Sequence, residues 1–373
     1  MDLDYEIMDK FVPHRIKKFE LISRYVNDWA HKILGWQKSQ GLVYIDCMSN
    51  CGVYKDEFEE TTVEGTAVRV VRVLNSIKQN PNYRGKYVEI YFNDLSQRKI
   101  KFLEDYLREY VQPKNIVIHF SQMDASEFLR NFKLEKYRNY NTLLVYDPYQ
   151  ANIDWDAISP FLNTWGEVII NHMVFDTVRG VPQVKRENKV KKYQNTYQLD
   201  IEELISIGSD CSRLNENVVG IIKRQTQNSN RNHYVASFSI CNSKNGCVYY
   251  LIHCCSNVEG LKLYKKLAWQ TFGGKSSSKC VNEDGNQLDL FAGTEDEDDG
   301  SKSQNCFFIN HVGDAIYQKF HSKGEVLLSE IYAWLDYHPI FPSDGFKDEI
   351  KKYLKERYLV TIKRNSIIFG GIN

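Results

Sequence analysis

The chain has 373 residues, of which 42% are hydrophobic and 26% charged, enough to bury a large core in about two domains. Lys plus Arg and Asp plus Glu both number 48, so no global field selects nucleic acid or membrane and any basic surface has to be local. The polar opening Met1-Asp2-Leu3-Asp4 and the lack of an apolar run of spanning length predict a soluble, cytoplasmic protein, and the nine cysteines, without a C-x-x-C framework, read as buried reduced thiols rather than zinc ligands or disulfides.

In chain order, apolar residues at Phe19, Ile22, Tyr25, Val26, Trp29 and Ile33 predict a helix over 17–36. The run Leu42-Val43-Tyr44-Ile45-Asp46 then breaks into small residues around Gly52, as a buried parallel strand does where it meets a ligand loop. Gly52 is the one glycine in that loop, so Asn50 has to supply any left-handed turn. An ordinary turn after a core strand is the alternative.

Helices over 65–78, 96–110 and 125–132 alternate with strands at 87–93, 116–120 and 142–146, and a fifth strand follows at 167–172. The second strand ends at Asp94, placed to accept from ribose hydroxyls. The third leads to Asp124, placed to accept from an adenine amine. The fourth runs into Asp147-Pro148-Tyr149-Gln150. An exocyclic base amine is a poor nucleophile, so an acidic oxygen and a backbone carbonyl have to take its hydrogens while an aromatic ring holds the base flat. Asp147, the Pro148 carbonyl and Tyr149 are the residues for that task; the alternative is a strand terminator with a packed tyrosine.

Residues 181–217 are polar and helical, as an insertion over the site. Strands at 234–240 and 247–254 form an expected antiparallel pair, followed by a helix over 260–271. The stretch 275–305 is rich in Ser, Asn, Asp, Glu and Gly and reads as a flexible acidic linker. Within it, Gln287-Leu288-Asp289-Leu290-Phe291 sets apolar anchors in a polar tract and matches the peptide pattern of bacterial sliding-clamp ligands. Burial of each anchor is worth about 1.5 to 3 kcal/mol, so the segment is expected to dock on another protein or to fold back on its own body. A helix over 325–334, a helix over 345–357 and strands at 359–362 and 367–369 around a turn predict a winged-helix-like domain over 306–373. Lys351 and Lys355 on its second helix, with Lys363 and Arg364 at the wing tip, are candidate phosphate contacts. Protein contact is the alternative use of that domain.

His14-x-x-x-Lys18-Phe19 with Tyr25 and Trp29, the Tyr-Ile-Asp strand with Gly52 and Tyr54, Glu64-Gly65-Thr66, Asp147-Pro148-Tyr149, and Leu251-Ile252-His253-Cys254-Cys255-Ser256-Asn257 with Gly260-Leu261 occur in one order. Together they resemble the three-Cys-motif partner family. A more distant similarity is to the adenine-N6 methyltransferases of 23S ribosomal RNA, which share the His and Lys segment and an Asp-Pro-Pro-Tyr motif. Met48, Ser49, Asn50 and Cys51 stand where the partner family tends to have Phe, Ala, Gly and Pro, and Gln150 where it often has Gly. The resemblance implies a Rossmann-like class I methyltransferase sheet with a helical insertion over 1–274, S-adenosylmethionine as cofactor, and a radical-S-adenosylmethionine protein as partner.

The expectation is therefore a methyltransferase-like protein acting on or near DNA in repair, genome maintenance or defence. Asp46, Asn50, Gly52, Asp94 and Asp124 would hold cofactor. Asp147, Pro148 and Tyr149 would orient the acceptor, while His14 and Lys18 border its pocket, contact a phosphate or cap the first helix. The alternatives are a catalytically silent scaffold that recruits a partner enzyme to DNA, and an RNA adenine methyltransferase.

Overall fold

In the computed structural model, residues 6–56, 61–181, 187–227, 229–241, 246–272 and 308–370 are described. Contacts divide the chain into one unit of Met1–Ile240 with Cys247–Asn257 and a second of Cys241–Gly246 with Val258–Asn373.

The first unit opens with helix α1 (Arg15–Gly35), whose Phe19, Ile22, Val26 and Trp29 are buried. Strand β1 (Gly41–Asp46) is buried along its whole length, as a continuous apolar run requires. It lies so close to its neighbour that a Cβ at Gly41 would sit 2.1 Å from the Tyr87 carbonyl oxygen. A hairpin follows, β2 (Val53–Asp56) with β3 (Thr61–Glu64), which sequence pattern alone does not disclose. Its Lys55 also pairs with the N-terminal segment: Phe11 N–H donates to the Lys55 carbonyl at 2.7 Å, and Lys55 N–H to the Asp9 carbonyl at 3.0 Å. Then come α2 (Thr66–Ile77), β4 (Tyr87–Asn93), α3 (Gln97–Tyr106) with a wider turn over Leu107–Val111, β5 (Val117–Ser121), α4 (Ala125–Asn131), β6 (Tyr140–Tyr146), α5 (Trp155–Leu162) and β7 (Glu167–His172). The insertion supplies α6 (Val174–Gly180), α7 (Glu187–Tyr197), α8 (Ile201–Ile207) and α9 (Cys211–Thr226), ahead of β8 (Tyr234–Cys241) and β9 (Cys247–Cys255).

Seven strands form one sheet in the order β5-β4-β1-β6-β7-β9-β8. Pairings β5/β4, β4/β1, β1/β6 and β6/β7 are parallel, and β9 runs antiparallel to β7. This is the Rossmann-like, mostly parallel α/β sheet expected from the strand pattern. Its order reverses between β1 and β6, and in open α/β sheets the crevice outside the carboxyl ends at such a point is where ligands bind. Both the Asp46 loop and Asp147 open there.

The second unit begins with α10 (Val258–Thr271) and continues with α11 (Ile309–Phe320), β10 (Glu325–Leu327), α12 (Leu328–Tyr337), α13 (Lys347–Tyr358), β11 (Thr361–Ile362) and β12 (Ser366–Ile368). The last three strands make an antiparallel sheet ordered β10-β12-β11. The helix expected over 325–334 is thus a three-residue strand followed by a helix that starts at Leu328. Glu325-Val326-Leu327 is too short for a period to show. Lys265 of α10 is buried and donates to the carbonyls of Leu335 (2.7 Å), Asp336 (3.0 Å) and His338 (2.7 Å), satisfying the end of α12 with a cation. Burial pulls its pKa down to about 8. Among the described residues no helix is long and apolar enough to cross a membrane.

Candidate active site

The loop after β1 adopts the left-handed turn at Asn50, with φ of 58°. Asn50 N–H donates to Asp94 Oδ2 at 3.0 Å, and Ser96 N–H to Asp94 Oδ1 at 2.8 Å, so the acid ending β4 clamps two loops by backbone donors. Neighbouring Asn93 is fully buried and donates from Nδ2 to the carbonyls of Cys47 (3.0 Å) and Met123 (2.9 Å). The ends of β1, β4 and β5 are therefore knitted together before any ligand arrives. Asp124 caps α4, accepting from Ser126 N–H at 2.9 Å and Glu127 N–H at 3.2 Å. Each of these carboxylates keeps acceptor capacity beyond the bonds it makes.

Gly52 has a purpose different from the one its position suggests. Its φ is +74°, and a Cβ there would lie 2.6 Å from Leu103 Cδ1 and 3.0 Å from Val68 Cγ2. The missing side chain makes room for the packing of α2 against α3.

Asp147 stands at the end of β6. Its Oδ2 accepts from Lys18 Nζ at 2.6 Å, and its Oδ1 accepts from Asn171 Nδ2 at the end of β7. The carbonyl oxygen of Asn171 is buried and has no hydrogen-bond partner. A carboxylate is thus joined to an amide whose own oxygen is left unsatisfied, two groups with acceptor capacity at the ends of neighbouring strands. Lys18 is 6% exposed, and its ammonium lies 5.4 Å from the Tyr249 ring centroid. The reading of Lys18 as a phosphate contact gives way to that of a buried counter-ion for Asp147. His14 holds the N-cap position of α1 without a side-chain capping bond. Burial, with the charges of Arg15 and Lys18, pulls its pKa down to about 4, so the imidazole is neutral at pH 7.

Asp46 is buried, and its Oδ1 accepts from Met48 N–H at 3.3 Å. Burial and then the charge of Asp147 push its pKa up to about 7. An acid cluster at the mouth of the loop, strained by its own charge, suits a cationic ligand.

Tyr149 is 57% exposed, yet its hydroxyl is not free. It donates to Asp9 Oδ2, receives a bond from Asn50 Nδ2 at 2.6 Å, and lies 3.3 Å from Lys99 Nζ. Asn50 Nδ2 also donates to the same Asp9 oxygen at 2.6 Å, and Lys99 pairs with Asp9 at 3.3 Å. Burial raises the Asp9 pKa, but the bonds from Tyr149 and Asn50 and the Lys99 charge outweigh it, and the net shift is downward. The Pro148–Ala151 turn is braced by the insertion: Lys192 Nζ donates to Gln150 Oε1 at 2.7 Å, Ala151 N–H to Asp176 at 3.0 Å, and Thr196 Oγ1 to the Ala151 carbonyl at 3.1 Å.

Asp9, Lys99 and Asn171 are site residues that the sequence reading misses. Asn171 leaves one visible signal, a lone amide at the end of the apolar strand Val168-Ile169-Ile170. The basic candidates fall in the second unit. There Lys351 lies 3.7 Å from Asp348 and Lys363 lies 3.0 Å from Glu325, whereas Lys355 and Arg364 are exposed. Gln287, Leu288, Leu290 and Phe291 lie outside the described residues. The described cysteines are all free thiols, and no group of three or more metal-ligating side chains occurs among the described residues.

Compared with protein-family models and with curated proteins, the chain matches none. Solved structures are similar to it in fold. TYW2 of P. horikoshii in complex with MeSAdo is 10% identical, with 68% of this chain and 66% of that one covered, at a TM-score of 0.31. A putative caffeoyl-CoA O-methyltransferase from Staphylococcus aureus is 11% identical over 61% of this chain and 82% of its own, at 0.31. A putative rRNA-methylase from Clostridium thermocellum is 8% identical over 62% and 97%, at 0.32. The strand order and the Asp147 geometry define the site independently of these likenesses.

Proposed function

We propose that the chain is an S-adenosylmethionine-dependent methyltransferase acting on an exocyclic amine of a nucleic-acid base. One observation carries the reading: the Asp147 carboxylate at the switch point is hydrogen-bonded to Asn171 of the next strand, whose side-chain amide oxygen is left without a partner. Two hydrogens on one nitrogen need two acceptors, and this pair supplies them. Bound there, S-adenosylmethionine supplies an electrophilic methyl group on a sulfonium. Asp46, Asp94, Asp124 and the Asn50–Gly52 backbone fit such a ligand because they offer carboxylates for its ribose, amine and positive charge. Asp147 and Asn171 orient the acceptor nitrogen with its lone pair toward the methyl carbon, and the proton that the methylated nitrogen loses passes to Asp147. The ring of Tyr149 is the surface on which the base lies flat. The Lys18 ammonium, 2.6 Å from Asp147 Oδ2, holds that carboxylate in position.

In this reading the second unit is a winged-helix-like module in which Lys355 and Arg364 meet phosphates, DNA being the favoured strand and RNA the alternative. The resemblance to the three-Cys-motif partner family adds a radical-S-adenosylmethionine protein as partner, with the clamp-like segment 287–291 as a docking peptide. The experiment is calorimetry with S-adenosylmethionine and its demethylated product, followed by transfer of labelled methyl to single- and double-stranded DNA and RNA. Cofactor binding with transfer to one of them is the expected result. A second reading, a silent scaffold, draws on the fact that Lys18 and Asn171 already satisfy both Asp147 oxygens. Cofactor binding without transfer in the presence of every nucleic acid favours it, and failure to bind cofactor at millimolar concentration removes the enzyme reading.

A further inference from the structure

A cleft of about 290 Å³ opens on the face of the sheet at its β4–β5 edge, beneath α4 and the short turn that follows it. No step of the methyl-transfer reading uses it. Side chains alternate faces along a strand, so Tyr91 of β4 and His119 of β5 come from one face of paired positions. Their rings stack at 4.3 Å with an interplanar angle of 14°, Phe132 stands edge-on to Tyr91 at 4.9 Å, and Tyr137 lies beside Phe132 at 5.8 Å and 26°. The polar tips of this wall face inward. Glu89 accepts from the Tyr91 hydroxyl at 3.1 Å and the Tyr137 hydroxyl at 2.9 Å, and lies 3.3 Å from His119 Nε2. What the wall offers a ligand is ring surface, fixed in place.

The rim has the opposite chemistry. Lys133 and Lys136 line the cleft, and neither has an ion-pair partner among the described residues. No carboxylate is among the lining residues, while Ser121 and Asn131 add a hydroxyl and an amide at its edge. The cleft therefore asks for a flat ring system that carries hydrogen-bonding edges and a negative charge a few ångströms away, in a volume that admits one such unit. A nucleotide has all of these. The cleft is distinct from the Asp147 pair, since β1 lies between β4 and β6, although its lining residue Met123 directly precedes Asp124.

We propose that this cleft is a nucleotide-binding site, with the base against the Tyr91–Phe132–Tyr137 wall and the phosphate at Lys133 and Lys136. The ligand is either a free mononucleotide or one unpaired nucleotide of a strand. The proposal does not rest on the methyl-transfer reading, because its test measures binding and a chain that transfers no methyl group still answers it. The full chain is titrated with adenosine monophosphate, uridine monophosphate, an eight-nucleotide single-stranded oligonucleotide and inorganic phosphate. The same titrations are made on the K133E/K136E pair and on F132L, with melting curves to establish that both variants fold.

At least one nucleotide ligand is expected to bind, with a loss of tenfold or more in each variant and unchanged melting. Tighter binding of the oligonucleotide than of the mononucleotides assigns the site to a strand; equal binding assigns it to free nucleotide. Four results overturn the proposal. These are no nucleotide binding at millimolar concentration, binding that neither variant weakens, loss in the lysine pair alone, which marks a merely electrostatic surface, and competition by inorganic phosphate at equal concentration, which removes any part for the rings. If F132L melts early, Tyr137→Leu takes its place beside the lysine pair, and retention of binding in both variants remains decisive.

Discussion

Along the carboxyl edge of one sheet, Asp94 and Asp147 are held in opposite ways. Asp94 is bound by main-chain donors of its own and the neighbouring loop, Asn50 N–H and Ser96 N–H, which cannot leave without moving the chain. Asp147 is bound by side chains, Lys18 and Asn171, and the amide oxygen of Asn171 has no donor. The first arrangement is that of a brace and the second that of a group awaiting a ligand. Where backbone satisfies a carboxylate, its removal is felt as stability; removal of Asp147 leaves the buried Lys18 ammonium without its counter-ion, so a stability cost accompanies any effect on rate.

The sharpest way to break that contrast is Asp147→Ala. It is expected to lower methyl transfer by about 10²- to 10⁴-fold while leaving the cofactor dissociation constant within about twofold. Single-turnover transfer and calorimetry on the same preparation read both quantities, and equal loss of the two would move Asp147 into the cofactor pocket. Asp94→Ala should do the reverse. Two hydrogen bonds to a charged acceptor are lost from a position only 9% exposed, so a destabilisation of about 2 to 4 kcal/mol is expected, seen as a lower urea midpoint at unchanged slope. Gly52→Val follows at about 2 to 3 kcal/mol, from overlap with Leu103 and a β-branched residue at positive φ. A variant that loses cofactor while its melting curve stays put would restore the glycine to the ligand path.

The smallest effect belongs to Asp46, and it is a matter of pH. Its folded pKa is raised to about 7 by burial and by Asp147, so below pH 7 the carboxyl carries a proton that a cationic ligand has to expel. Affinity for S-adenosylmethionine should therefore fall as pH drops from 7 toward 5, by at most about tenfold per unit. Asp46→Asn should flatten the profile. For stability alone the sign is opposite: the folded state binds the extra proton between the ordinary carboxylate range and pH 7, so acidification over that window favours folding at this group.

The parallel strands were legible because burial on both faces leaves an unbroken apolar run, as in Leu42-Val43-Tyr44-Ile45 and Leu143-Leu144-Val145. The β2–β3 hairpin was not, since Val53-Tyr54-Lys55-Asp56 and Thr61-Thr62-Val63-Glu64 mix charge into half-buried ribbons whose partner is local. Asp147 could be picked out by its proline and aromatic. Its partners could not, because Lys18 is 129 positions away and Asn171 is 24, and only the sheet order brings them together. Asp9 lies in a short tract without any period, where nothing marks one acid from the next. For Gly52 the sequence shows that a side chain is missing but not that the room is needed by Leu103 and Val68.

Asp9 has one further consequence. Its carboxylate fastens the side chain of Asn50, which belongs to the loop over β1, and the hydroxyl of Tyr149, which belongs to the turn after β6. The loop and the turn thus share one anchor, itself tethered through Lys55 to the hairpin. A ligand that draws Asn50 aside leaves the tyrosine a different hold on Asp9, and a ligand that lifts the tyrosine leaves Asn50 one. Thermodynamic reciprocity then requires that whatever factor the first imposes on the affinity of the second is returned unchanged in the other direction. On the proposed reading, the cofactor loop and the acceptor turn would be coupled through this one residue.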